Sequence, residues 1–151
     1  MIWGFITFSG AGHLHHIYGI MNAKVYCSIL EESLLGTLDD HGMSRGCFFF
    51  QRDNDCKHTS HRALSWFYSY NIKLLPWPSS SPDMNIIEHV WNELDRRIRR
   101  RKRLPRNQEE LWVALQEEWY GLDLAFIRKL YDSLPARVEA LKKAKGHHTR
   151  Y

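Results

Sequence analysis

The sequence has little that would suit a secreted, cross-linked or membrane-spanning protein. Three cysteines occur, Cys27, Cys47 and Cys56. No two form a CxxC pair, and three irregularly spaced thiols cannot build a disulfide framework. A reducing, intracellular setting is therefore expected. No run reaches the roughly 18 consecutive apolar residues that a membrane-crossing helix needs. The opening stretch, Ile2-Trp3-Gly4-Phe5-Ile6-Thr7-Phe8, lacks the basic start and small-residue cleavage site of a secretory signal. No internal repeat is present, which argues against a solenoid. Neither sign of charge dominates. The net charge is +4, but seven of the eight residues from Arg96 to Arg103 are basic, and the rest of the chain carries 14 Lys+Arg against 17 Asp+Glu. The basicity is one local block, and the protein is not polycationic along its length.

What is present suits a globular domain. The chain has 151 residues, 44% of them apolar, and six tryptophans. A domain of that length buries roughly 70% of its unfolded surface. Ile2 to Phe8 reads as a buried strand, Ser9 to Gly12 as a turn, and His13 to Tyr18 as the returning strand of a hairpin. Asn22 is an N-cap for a helix from Ala23 to about Leu38, with Val25, Tyr26, Ile29, Leu30, Leu34 and Leu38 on its apolar face. Cys47 to Phe50 fits a central strand buried on both faces. Thr59 or Ser60 starts a further helix carrying Ala63, Leu64, Trp66, Phe67 and Tyr70, and Ile72 to Leu75 is a short strand. Pro76 to Pro82 is a rigid loop, with Ser81 as N-cap and Pro82 as the first residue of the next helix. That helix has Ile87, Trp91, Leu94 and Ile98 on one stripe, which leaves Glu88 beside the stripe. Helices of about 108–119 and 124–145 complete the chain. Hairpin, helix, strand, helix, strand and helices together make an α/β pattern with a layered sheet.

Two carboxylates stand where chemistry can occur. Asp53 follows a buried strand, and the crevice of an α/β sheet lies beyond the carboxyl ends of its strands. Glu88 lies in the first turns of the helix after the rigid loop. Two such groups suit a hard cation such as magnesium, which takes oxygen ligands and serves phosphodiester chemistry. The same positions also fit a turn aspartate and a solvated helix glutamate.

Two longer motifs carry a resemblance. Gln51-Arg52-Asp53-Asn54-Asp55-Cys56-Lys57-His58-Thr59-Ser60 is similar to the block around the second catalytic aspartate of Tc-type transposases. Trp77-Pro78-Ser79-Ser80-Ser81-Pro82-Asp83-Met84-Asn85-Ile86-Ile87-Glu88-His89-Val90-Trp91 resembles the block around their third catalytic carboxylate. The 34 residues between Asp53 and Glu88 match the spacing of that family, and a glutamate in the last place is the mark of its Tc branch. Weaker similarity extends over Ile2 to Phe5, Met21 to Glu32, Ser133 to Arg137, and Lys145 to Tyr151. The resemblance implies a ribonuclease-H-like fold, with residues 1–151 as part of one DDE catalytic domain bearing extra C-terminal helices. It implies cut-and-paste DNA transposition in the nucleus, with Asp53 and Glu88 as catalytic, metal-holding residues for Mg2+ or Mn2+. Its partners would be DNA and a second copy or a full-length transposase. The family's first catalytic aspartate lies on a strand before Trp3, so these 151 residues by themselves are expected to be inactive. A DNA-binding or dimer-poisoning protein derived from a transposase is the alternative. Cys56 and Ile86 both stand where the family has proline, and both changes are expected to loosen a turn.

Other residues have plainer readings. His13, His15 and His16 read as surface histidines of a strand, and Cys56, His58 and His61 lack the spacing of a zinc site. Trp66, Trp91 and Trp112 fall on apolar helical stripes. Arg96, Arg97, Arg99, Arg100, Arg101, Lys102 and Arg103 can end a helix, contact DNA phosphates or act as an import signal.

Overall fold

Alternating apolar residues at the start of the chain make a hairpin, but a tighter one than the sequence suggests. In the computed structural model, which describes residues 1–78 and 84–145, β1 (Ile2–Trp3) pairs antiparallel with β4 (His15–His16), and β2 (Ile6–Thr7) with β3 (Gly10–Ala11). Thr7 faces Gly10, so the turn is Phe8-Ser9 and the return begins at Gly10 rather than after Gly12. Gly10, at φ 145°, adopts a backbone that only glycine takes readily. The chain divides into two compact units, one of residues 1–4 and 12–80, the other of residues 5–11 and 81–151.

In the first unit Asn22 caps α1 (Ala23–Ile29), its side chain accepting from the Lys24 and Val25 amides. The helix continues through a π-helical turn (Leu30–Leu35) into α2 (Gly36–Asp40). Tyr26, Ile29, Leu30, Leu34 and Leu38 are buried as their spacing predicts. Ser33 and Thr37 are buried with them. Thr37 Oγ1 donates to the Ser33 carbonyl at 2.7 Å and accepts the His13 amide at 2.8 Å, and the Ser33 hydroxyl lies 3.5 Å from His15 Nδ1. The Cys47–Phe50 run is not a strand buried on both faces. Only Phe49–Phe50 forms β5, with Phe50 buried and Phe49 64% exposed under the Lys73 ammonium. β5 runs parallel to β6 (Lys73–Leu74). Between them lie α3 (Cys56–Thr59) and α4 (His61–Ser69), the latter capped by Ser60. From α4, Ala63, Trp66 and Phe67 reach the core, whereas Leu64 stays 43% exposed. The Phe67 ring lies 5.2 Å from Phe50 and 5.3 Å from Trp66. Each fully buried side chain of this size stabilises by roughly 1.5–3 kcal/mol.

In the second unit α5 (Ile87–Arg99) packs on α6 (Gln108–Tyr120), where Trp91 stacks on the fully buried Trp119 at 5.2 Å. Of the predicted stripe Ile87, Trp91, Leu94 and Ile98, Leu94 is buried and the other three are half-buried; the buried row is Ile86, Val90 and Leu94. That rotation of the seam turns Glu88 out to solvent. The expected cap Ser81 and first residue Pro82 lie outside the described residues. The predicted long last helix is two, α7 (Leu124–Asp132) and α8 (Leu134–Lys143). Pro135 has no N–H and its ring crowds the carbonyl four residues back, so the chain breaks at Ser133 and restarts with proline in its first turn. The Tyr131 hydroxyl donates to the Ile6 carbonyl at 2.9 Å, and Phe8 meets the Tyr131 ring edge-on.

Candidate active site

Two acidic residues follow β5, and the structure gives them different work. Asp55 is the N-cap of α3. One of its oxygens accepts the Lys57 amide at 2.9 Å, and the other accepts the Lys57 ammonium at 2.6 Å. The Lys57 side chain, then its amide, hold the Asp55 carboxyl down at about 2. Asp55 is therefore committed to the turn.

Asp53 is the carboxylate presented outward, with 61% of its side chain exposed. A carboxylate only accepts, so His58 Nδ1–H donates to Asp53 Oδ1, at 2.5 Å, and the Asp55 amide donates to the same oxygen at 3.3 Å. Both donors converge on Oδ1. The neighbours are tied down as well. Arg52 Nη1 donates to the Asp53 carbonyl, and Asn54 Nδ2 donates to the Trp77 carbonyl at 2.9 Å. The latter bond fastens the motif to the loop after β6. The Tyr26 ring, 4.2 Å from the His58 ring, lies behind the site, and its burial raises the Tyr26 hydroxyl pKa far above the ordinary value.

Glu88 sits in the first turn of α5, where the helix N-terminus favours a carboxylate. Its side chain is exposed, and Asn85 Nδ2 donates to Oε1 at 3.5 Å. On the next residue, burial and then the Arg137 charge lower the His89 imidazole pKa from its ordinary value. Asp53 belongs to the first unit and Glu88 to the second. Among the described residues no three His, Cys, Asp or Glu side chains converge as a metal cage. The donor chemistry still fits a hard divalent cation, since both groups are exposed carboxylates and one already has an oxygen fixed by a hydrogen bond.

The basic block is less open than its composition suggests. Arg96 and Arg97 bind Glu93, Arg99 binds Asp95, Arg101 bridges Glu117 and Glu118, and Arg103 reaches Glu110 at 3.5 Å. Arg100 and Lys102 are exposed and have no ion-pair partner among the described residues. Of the histidines, His13 pairs with Asp40 at 2.7 Å and His15 with Glu32 at 3.7 Å. His58 turns to Asp53 rather than towards Cys56 and His61. Sequence reasoning missed His58 as a partner of Asp53. Its signal was spacing, five residues on and inside a one-turn helix capped by Asp55.

A family model described as DDE superfamily endonuclease matches residues 5–112. The Caenorhabditis elegans transposable element Tc1 transposase is 40% identical over 152 residues, covering 100% of this chain and 54% of the relative. The Caenorhabditis briggsae Tcb1 transposase is 37% identical over 151 residues, with the same two coverages. The chain thus spans about half the length of the curated relatives it matches. Among solved structures, the catalytic domain of Mos1 mariner transposase superposes with a TM-score of 0.85 at 20% identity, over 99% of this chain and 75% of that one. A Mos1 mariner paired end complex with Mn gives 0.86, also at 20% identity, over 99% and 44%. At that identity the likeness is one of fold, and the fold is ribonuclease-H-like.

Proposed function

The chain belongs to the DDE superfamily endonuclease family, and from that premise we propose that residues 1–151 are part of one catalytic domain of a Tc-type DNA transposase. Asp53 and Glu88 are its catalytic carboxylates in these residues, holding Mg2+ or Mn2+. The observation that carries this reading is the division of labour after β5. Asp55 is spent on capping α3 and on Lys57, while Asp53 is oriented by His58 and exposed. A divalent ion there would supply Lewis-acid activation of a phosphodiester and of the attacking oxygen. The residues themselves do the rest. Asp53 offers an oxygen on a rigid turn, and Glu88 offers one on the first turn of a helix. The family chemistry rests on three carboxylates, and these residues contribute two of them.

DNA is the partner, and a second copy or a full-length transposase is the other, a reading supported by the Mos1 paired end complex of the same fold. Phosphate contact falls first to Arg100 and Lys102, which have no ion-pair partner among the described residues, while the other five block cations face carboxylates in pairs that a phosphate can compete for. The nucleus is the place of action, with the block as import signal. A fluorescent protein carrying residues 96–103 that stays outside the nucleus would count against that signal. No described helix is long and apolar enough to cross a membrane.

The test is Mg2+-dependent nicking of transposon-end DNA. The 151-residue chain is expected to give none. A chimaera joining it to the N-terminal half of the Tc1 relative is expected to nick, and Asp53→Asn or Glu88→Gln to abolish nicking. A chimaera whose activity survives both substitutions would remove the assignment. For DNA contact, Arg100→Gln with Lys102→Gln should reduce the slope of log affinity against log salt by about 2, since each lost phosphate contact removes about 1. An unchanged slope would take the contact away from these two residues.

A further inference from the structure

His58 is held more firmly than a surface histidine needs to be. Its side chain is 13% exposed, although α3 lies at the surface and has no buried residues. One face of the ring packs on Tyr26 at 4.2 Å. Nδ1 reaches Asp53 Oδ1, and Nε2 is buried with no hydrogen-bond partner. The buried nitrogen decides what the ring can do. Nε2 has no access to solvent or substrate, so His58 cannot pass a proton to a reacting group. The hydrogen must sit on Nδ1, because the carboxylate has none to give. A buried nitrogen left bare on one side and a short bond to a carboxylate on the other describe a ring set in place to hold that carboxylate.

We propose that His58 is a positioning residue for Asp53, locking Oδ1 so that Oδ2 is presented to a divalent cation. The proposal rests on the reading of Asp53 as a metal ligand. Unheld, the 61% exposed Asp53 side chain would sample several rotamers. With Oδ1 taken by His58 and the Asp55 amide, only the second oxygen remains for a hard cation. Carboxylates that bind metals are commonly steadied by such outer hydrogen bonds. Tyr26 completes the chain of support, since its buried ring fixes the plane of the imidazole.

Two substitutions separate positioning from simple packing. His58→Asn puts an amide N–H close to where Nδ1 stands and gives up the ring that packs on Tyr26. His58→Phe keeps the ring and gives up the donor. The chain is titrated with Mn2+, and paramagnetic broadening of the amide signals of residues 53–58 gives an apparent affinity, with thermal melting recorded for each variant. Positioning predicts that His58→Phe weakens binding about tenfold or more while His58→Asn stays within about threefold of the parent. A packing role predicts the opposite order, in binding and in melting, and that order would overturn the proposal. Equal affinity of His58→Phe and the parent would also overturn it. If the Phe variant does not melt cooperatively, His58→Gln takes its place, because its amide lies one bond too far out to replace Nδ1. Asp53→Asn is the reference. If the parent binds no more Mn2+ at this segment than Asp53→Asn does, the metal reading itself fails and the proposal falls with it. If the parent binds and Asp53→Asn does not, the fate of His58 is decided by its own variants alone.

Discussion

Replacing Cys56 by proline should stabilise the protein, and the reason lies in the backbone around it. Cys56 is the first residue of α3, the one helical position where proline is favoured. Its N–H has no acceptor among the described residues, so a proline removes no backbone bond. The residue before a proline must be extended, and Asp55 already is, at φ −55° and ψ 139°. The side chain lost is exposed and gives up only a weak thiol contact to Asp55. The gain is therefore the entropy removed from the unfolded chain, about 0.4–1 kcal/mol. For a domain of this size that raises Tm by about 1–4 °C. Circular dichroism melts and urea titrations of Cys56→Pro against the parent measure it. Lys57→Pro is the control. It deletes the amide bond to Asp55 at 2.9 Å and the ammonium bond at 2.6 Å, and should destabilise. A Cys56→Pro protein no more stable than the parent would refute the reasoning, because every local requirement for proline is met. The sequence-based expectation that Cys56 loosens this turn is thereby narrowed. The structure keeps the turn through Asp55 and Lys57, and the cost of cysteine is unfolded-state entropy.

The other predictions concern ionisable groups. Burial pushes the Tyr131 hydroxyl up to about 12 while it donates to the Ile6 carbonyl, so its contribution is complete below about pH 10 and is lost as pH rises through about 12. Alkaline spectrophotometric titration should find one late tyrosine missing in Tyr131→Phe, and that variant should lose about 1–3 kcal/mol through the orphaned carbonyl. Asp55, held at about 2 by Lys57, should stay ionised until pH falls near that value, so its contribution is present above about pH 4 and is lost below. Carbon-detected NMR of the carboxyl checks this. Lys57→Met should return the midpoint towards the ordinary aspartate range, and a midpoint left at about 2 would mean that the ammonium is not the cause.

Features that depend on a few adjacent residues were legible in the sequence. Asn22 and Ser60 cap helices because each side chain bonds an amide two or three residues on, and such geometry needs nothing distant. The motifs around Asp53 and Glu88 and their spacing are likewise properties of the string, and they gave the family before any contact was known. The break at Pro135 was also local and visible, yet a continuous apolar pattern from 124 to 145 masked it. Features that depend on what lies across space were decided only by the folded chain. Phe49 is exposed because β6 and its neighbours cover one side of the pair and not both. Arg101 is paired with Glu117 and Glu118, sixteen and seventeen residues away, so a run of cations that the sequence left open to three readings carries several surface ion pairs. Asp53 and Asp55 are the same residue type two positions apart, and no propensity separates them. The tertiary structure does, by putting His58 and Tyr26 behind one carboxylate and the Lys57 ammonium against the other.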